Sequence, residues 1–134
     1  IDEPIGRDSR DRIKQAISSS GKDAITHYRV IDRYKSHTHV KAILETGRTH
    51  QIRVHLSHIG YPLVGDLMYG GRVRFPKKAS ENLKEALLGF KRQALHSKKL
   101  TLNHPSTGEL LSWKVSLPDD MLELLAVLNE FDQC

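Results

Sequence analysis

The side chains best equipped for chemistry are packed into one run, Glu45-Thr46-Gly47-Arg48-Thr49-His50-Gln51-Ile52-Arg53-Val54-His55. It lies where a strand should end and a helix begin, a junction at which free backbone N–H groups and the helix dipole attract anions. Arg53 falls at the edge of the helix face fixed by Ile52 and Leu56. There a guanidinium can take a carboxylate in a two-pronged pair or grip a phosphate, and an ordinary structural salt bridge is the competing reading. His50, His55 and His58 do not form a metal site, because no His-Glu-x-x-His pattern or nearby cysteine accompanies them. No nucleophile–base pair, Gly-x-Ser-x-Gly turn or Cys-x-x-Cys pair is present, and Gly65, Gly70 and Gly71 fit neither a P-loop nor a dinucleotide fingerprint. Metal and nucleotide cofactors are therefore not expected.

The elements that must position this run follow from periodicity. Residues 24–34 and 38–45 alternate as the two strands of a hairpin around Lys35-Ser36-His37. Tyr28 and Val30 on the first strand, and Thr38, Val40, Ala42 and Leu44 on the second, mark a buried side. Thr49 is positioned to cap a helix over 50–59, with Ile52, Leu56 and Ile59 facing the core, Gly60 stopping it and Pro62 following. Residues 65–71 read as loop. A second helix is expected from the cap Ser80 to Leu88, with Leu83, Leu87 and Phe90 on one stripe. A strand over 93–103, a turn at Pro105 to Gly108, and a strand with Leu111, Trp113, Val115 and Leu117 inward come next. Pro118 opens a last helix carrying Met121, Leu124, Leu125, Leu128 and Phe131 on its apolar stripe. Hairpins interleaved with helices indicate an α+β fold with an antiparallel or mixed sheet and packed helices. Residues 1–23, rich in charge and serine, read as an extended linker or loop ahead of one domain over 24–134.

Composition limits the setting. A chain of 134 residues can bury one modest core, and no apolar run approaches the roughly 20 residues of a membrane span. With one cysteine, Cys134, the chain reads as cytoplasmic. The net charge of +5 is uneven, with nine basic and two acidic residues over 70–104 against one and six over 105–134. Arg72, Arg74, Lys77 and Lys78 surround Phe75, an arrangement suited to an RNA backbone groove with a stacking ring; a solvated loop is the alternative.

The run from Glu45 to Leu56, followed by Gly60-Tyr61-Pro62-Leu63-Val64-Gly65-Asp66 and Tyr69-Gly70, closely resembles the central signature of the RluA-type pseudouridine synthases. Gly21 to Val30 before it, and Arg92 to His96 with Leu100, Leu102, His104-Pro105 and Gly108 after it, match in the same order, so the resemblance covers about residues 4–125. It leans toward the RluD-like subgroup. The resemblance implies isomerisation of uridine in RNA, with large-subunit ribosomal RNA as the partner and no cofactor, metal or membrane. It also implies the C-terminal part of a pseudouridine synthase catalytic fold. In that family the catalytic aspartate stands in a His-Arg-Leu-Asp motif, upstream of everything that matches here, and this chain contains no such motif. Arg53, ending the His-Gln-Ile-Arg run, would be the partner of that upstream aspartate. Arg48, His50, Arg72, Arg74, Lys77 and Lys78 would contact RNA, and Ile52 would pack beneath the site.

Three functional readings follow: part of an isomerase that is inactive alone, an RNA-binding module on the same fold, or a structural domain with an incidental basic surface. A chain that completes its sheet only with further protein would also be prone to self-association.

Overall fold

The computed structural model describes residues 1–133. The α+β class is as expected, although the strands form three separate two-stranded antiparallel sheets in place of one continuous sheet. The elements in chain order are β1 (Ile5–Arg7), β2 (Gln15–Ile17), β3 (Thr26–Arg33), β4 (Thr38–Leu44), α1 (Gln51–His58), α2 (Leu67–Gly70), α3 (Glu81–Gly89), β5 (Lys99–Asn103), β6 (Leu110–Lys114) and α4 (Asp119–Phe131).

The first 23 residues are not a linker. β1 pairs with β2, Ile5 with Ile17 and Arg7 with Gln15, and isolated bridges join Asp2 to Ile25 and Ile5 to Lys22. Ile5 is buried against Ala24 and Val54, with Ile17 and Tyr69 at the margin of this small core. The charged composition hid a hairpin whose apolar residues are few but converge on one spot.

The second core lies between α3 and α4, where Leu83, Leu87, Phe90, Leu124 and Leu128 are buried together. Each such side chain contributes about 2 kcal/mol of burial. The stripes expected on both helices do this packing, and Ser80 caps α3 as read, its hydroxyl accepting from the Leu83 N–H at 3.2 Å. Leu125, placed on the same stripe, is only half-buried. The hairpin turn is clasped to the end of α4: buried Asp132 accepts from the Ser36 N–H at 3.1 Å and lies 2.8 Å from His37 Nδ1.

Four further expectations are corrected. Thr49 does not cap α1; His50 takes that position in a left-handed conformation with no side-chain cap. The buried face of α1 is Gln51, Val54, His55 and Leu56, while Ile52 and Ile59 are half-buried, because the polar residues Gln51 and His55 find internal partners and can turn inward. Residues 67–70 form a short helix capped by Asp66 where a loop was read. The strand expected over 93–103 begins only at Lys99.

The largest difference concerns the hairpins. β3 and β4 pair Tyr28 with Ala42 and Val30 with Val40, with a bulge between Val30 and Asp32; β5 and β6 pair Leu100 with Trp113 and Leu102 with Leu111. The alternation is as read, but the apolar faces are uncovered: Tyr28 is 45% exposed, Leu100 55%, Trp113 49% and Val115 56%. A two-stranded ribbon has no second layer of its own, and nothing among the described residues supplies one.

Candidate active site around Arg53

The site is built on the start of α1 and the turn into α2. A buried polar network fixes α1 first. Gln51 donates through Nε2 to the Ile25 carbonyl and the Thr26 hydroxyl, both at 2.9 Å, and its Oε1 accepts from the Thr46 hydroxyl and the Arg48 N–H. His55, fully buried, lies 2.8 Å from the Thr26 hydroxyl through Nδ1 and 2.8 Å from the Glu3 carbonyl through Nε2. A carbonyl can only accept, so His55 carries its proton on Nε2 and takes the Thr26 proton on Nδ1. The helix is thereby bolted to the starts of β3 and of the chain.

The turn before α2 is set by Gly65. Its φ of +79° is in the left-handed region, and a Cβ there would run into the carbonyl of Arg92. The crossing segment is held by the Ala94 N–H donating to the Val64 carbonyl at 2.8 Å. This close crossing aims Asp66 at α1.

Arg53 meets Asp66 in a two-pronged pair, Nε to Oδ2 and Nη2 to Oδ1, both 2.9 Å. The Asp66 side chain is fully buried and that of Arg53 is 13% exposed. Burial alone would raise the Asp66 pKa, but bonds from the Arg53 guanidinium and the Tyr69 and Met68 amides outweigh it and hold the carboxyl below its ordinary range. The same bond to Asp66 raises the Arg53 pKa. Asp66 occupies Nε and Nη2 only. Nη1 makes no hydrogen bond among the described residues and can take a second acceptor.

Tyr69 completes the cluster. The Arg53 guanidinium carbon lies 4.9 Å from its ring centroid, a cation–π contact. Its hydroxyl accepts from the Gln15 N–H at 3.0 Å and sits 2.7 Å from His50 Nδ1. The two rings meet edge to face at 5.5 Å and 75°. His50 has φ 54° and ψ 24°, a conformation that costs a non-glycine residue about 1 kcal/mol. Burial, then the charge of Arg53, lowers the His50 pKa against a smaller opposite pull from Asp66, which favours the neutral ring.

The structure thus brings His50 and Arg53 together and adds Asp66 and Tyr69. Sequence reasoning gave these two no site role beyond their place in the signature. The available signal was Gly65-Asp66-x-x-Tyr69, glycine then an acidic cap then an aromatic one turn later. Arg48 is set apart, its Nε donating to the Asp23 carbonyl at 2.8 Å. Arg72, Arg74, Lys77 and Lys78 are exposed and make no hydrogen bond or ion pair to the cluster. Arg92 in the adjoining basic stretch is engaged with Asp120 at 2.8 and 2.9 Å.

Comparison with known proteins bears on this site. The sequence model of the family described as RNA pseudouridylate synthase matches residues 1–58. Ribosomal large subunit pseudouridine synthase D of Pseudomonas aeruginosa is 55% identical over 130 residues, 97% of this chain and 41% of the relative. The protein of the same name from Haemophilus influenzae is 52% identical over 129 residues, 96% of this chain and 40% of its own. The chain therefore spans about two-fifths of these curated relatives. Among solved structures, human RNA pseudouridylate synthase domain containing 4 superposes with a TM-score of 0.66 at 29% identity, covering 96% of this chain and 55% of that one. Human RNA pseudouridylate synthase domain containing 1 gives 0.61 at 31%, covering 95% and 51%.

Proposed function

The chain belongs to the RluA/RluD-type pseudouridine synthase family, and on that premise we propose that it is the C-terminal part of the catalytic domain of a longer enzyme that isomerises uridine to pseudouridine in large-subunit ribosomal RNA. In this reading the chain contributes Arg53 and part of the RNA surface, the catalytic aspartate comes from an upstream segment, and the chain alone does not turn over. The setting is the cytoplasm, and no cofactor or metal takes part.

The observation that carries the reading is the state of Arg53. It is held by Asp66 and Tyr69 while its Nη1 makes no hydrogen bond among the described residues. A guanidinium so placed can lower the pKa of an incoming carboxylate and aim it at the ribose of the target nucleotide. Isomerisation then needs the N1 glycosidic bond broken, the base turned and C5 joined to the ribose, with the C5 proton released. The target base must leave its stack, at a cost of a few kcal/mol that phosphate contacts offset. His50, Arg48 and the exposed cations Arg72, Arg74, Lys77 and Lys78 are the groups proposed for those contacts. The uncovered faces of β3–β4 and β5–β6 suit a chain that meets further protein, and the isolated chain is expected to self-associate through them.

Deleting the gene should remove at least one pseudouridine from large-subunit ribosomal RNA, read by carbodiimide mapping. The wild-type gene should restore it and an Arg53→Ala allele should not. An unchanged pattern in the deletion strain would refute the assigned substrate.

An RNA-binding module on the same fold is favoured by the basic loop alone. For the enzyme, exchanging Arg72 and Arg74 for Ala should weaken RNA binding and flatten the plot of log affinity against log salt by about 1.5, roughly 0.7–0.9 per phosphate contact. An unaltered slope would remove the loop from the interface.

A further inference from the structure

Tyr69 touches two groups of the proposed site in different ways, and its hydroxyl proton has a traceable destination. The phenol oxygen already accepts from the Gln15 N–H. Its own proton needs an acceptor, and the group at hydrogen-bond distance able to take it is His50 Nδ1, 2.7 Å away. A ring that accepts at Nδ1 and stays neutral must carry its proton on Nε2. Nε2 makes no hydrogen bond among the described residues and is not fully buried, so it is left able to donate to a group outside the chain. The same tyrosine ring lies against the Arg53 guanidinium, and the Tyr69 carbonyl is held by the Ser57 hydroxyl of α1 at 2.8 Å.

We propose that Tyr69 is a positioning residue: its hydroxyl locks His50 as the Nε2–H tautomer, and the ring so locked donates to a backbone phosphate oxygen of the RNA beside the target nucleotide. The left-handed backbone at His50 supports this. It turns the imidazole toward Tyr69 instead of letting the residue cap α1, and the bond to Tyr69 offsets the strain. Lowered basicity has a use here as well. A neutral Nε2–H donor keeps its geometry across physiological pH, whereas an imidazolium would repel Arg53. The inference rests on the proposed reading for the identity of the RNA, but the tautomer itself does not.

The test uses the full-length enzyme with 15N-labelled histidine. At pH 7.5, His50 Nδ1 should resonate as an unprotonated nitrogen and Nε2 as a protonated one; in Tyr69→Phe both should move toward the average of two tautomers. Tyr69→Phe keeps the ring under Arg53, so it should raise KM for ribosomal RNA by about fivefold, more than it lowers kcat, the expected loss for one ordered hydrogen bond. Because the hydroxyl acts through His50, Tyr69→Phe should add little further rise in KM to a His50→Ala protein, whereas independent roles would multiply.

An Nδ1–H tautomer or an imidazolium in the wild type, an unchanged tautomer in Tyr69→Phe, or additive effects in the double variant would each overturn the proposal. If no RNA is modified at all, the functional reading fails, while the nitrogen shifts still decide the role of Tyr69.

Discussion

Replacing Arg53 by lysine in the full-length enzyme is expected to slow uridine isomerisation by about a hundredfold or more, with RNA affinity changed only a few-fold. The lysine can keep a positive charge near Asp66, so the fold should survive. It cannot reproduce a fork that spends Nε and Nη2 on Asp66 and still offers Nη1 to a second carboxylate. The catalytic aspartate would then lose both its aim and the guanidinium that keeps it ionised. Single-turnover tritium release and filter binding on the two proteins separate rate from affinity. A lysine enzyme within threefold of the wild-type rate would show that a point charge suffices, against the role assigned to Nη1.

The second large effect is structural. Asp66→Ala should destabilise the protein by about 3 kcal/mol, because it leaves the poorly exposed Arg53 charge without its partner and removes the cap of α2. Thermal unfolding measures it, and a loss under about 1 kcal/mol would show that Arg53 is readily solvated there. The pH dependence has a fixed sign. The folded carboxyl is held below its ordinary pKa, so the Asp66 contribution is complete above about pH 4, the unfolded value, and disappears as pH falls through the depressed folded value. The variant should therefore lose less stability on acidification below about pH 4 than the wild type does. His50, also depressed, acts in a separate window: its contribution is complete above about pH 6.5 and fades as pH falls through its lowered folded value.

Much of the fold was legible where one stripe or one alternation meets a partner inside this chain. Leu83 and Leu87 on α3 with Phe90 just past its end, and Leu124 and Leu128 on α4, recur at helical spacing and do pack on each other. The strands of β3–β4 and β5–β6 were equally legible as strands, but their burial was not. Alternation reveals which side is apolar and says nothing about whether a second layer exists, so Trp113 and Tyr28 were read inward and stand exposed. On α1 the error ran the other way. The core face was assigned to Ile52, Leu56 and Ile59, with Gln51 and His55 left off it, yet partners from β3, Thr46 and the first residues of the chain let these two turn inward. Such long-range bonds leave no periodic trace. Arg53 stood out from residue type and position, and His50 from its run. Asp66 did not, because its pairing depends on the backbone crossing at Gly65 and Arg92, which only the folded chain displays.

The central claim is that this chain holds the arginine of an active site whose aspartate lies upstream. Tritium release from C5-labelled ribosomal RNA, run on this chain and on the full-length enzyme side by side, tests it most directly. Release by the full-length enzyme alone is the expected result. Release by this chain would mean that the catalytic carboxylate is among its own residues, with Asp66 the first to examine, and the division of the site argued from Arg53 would be wrong.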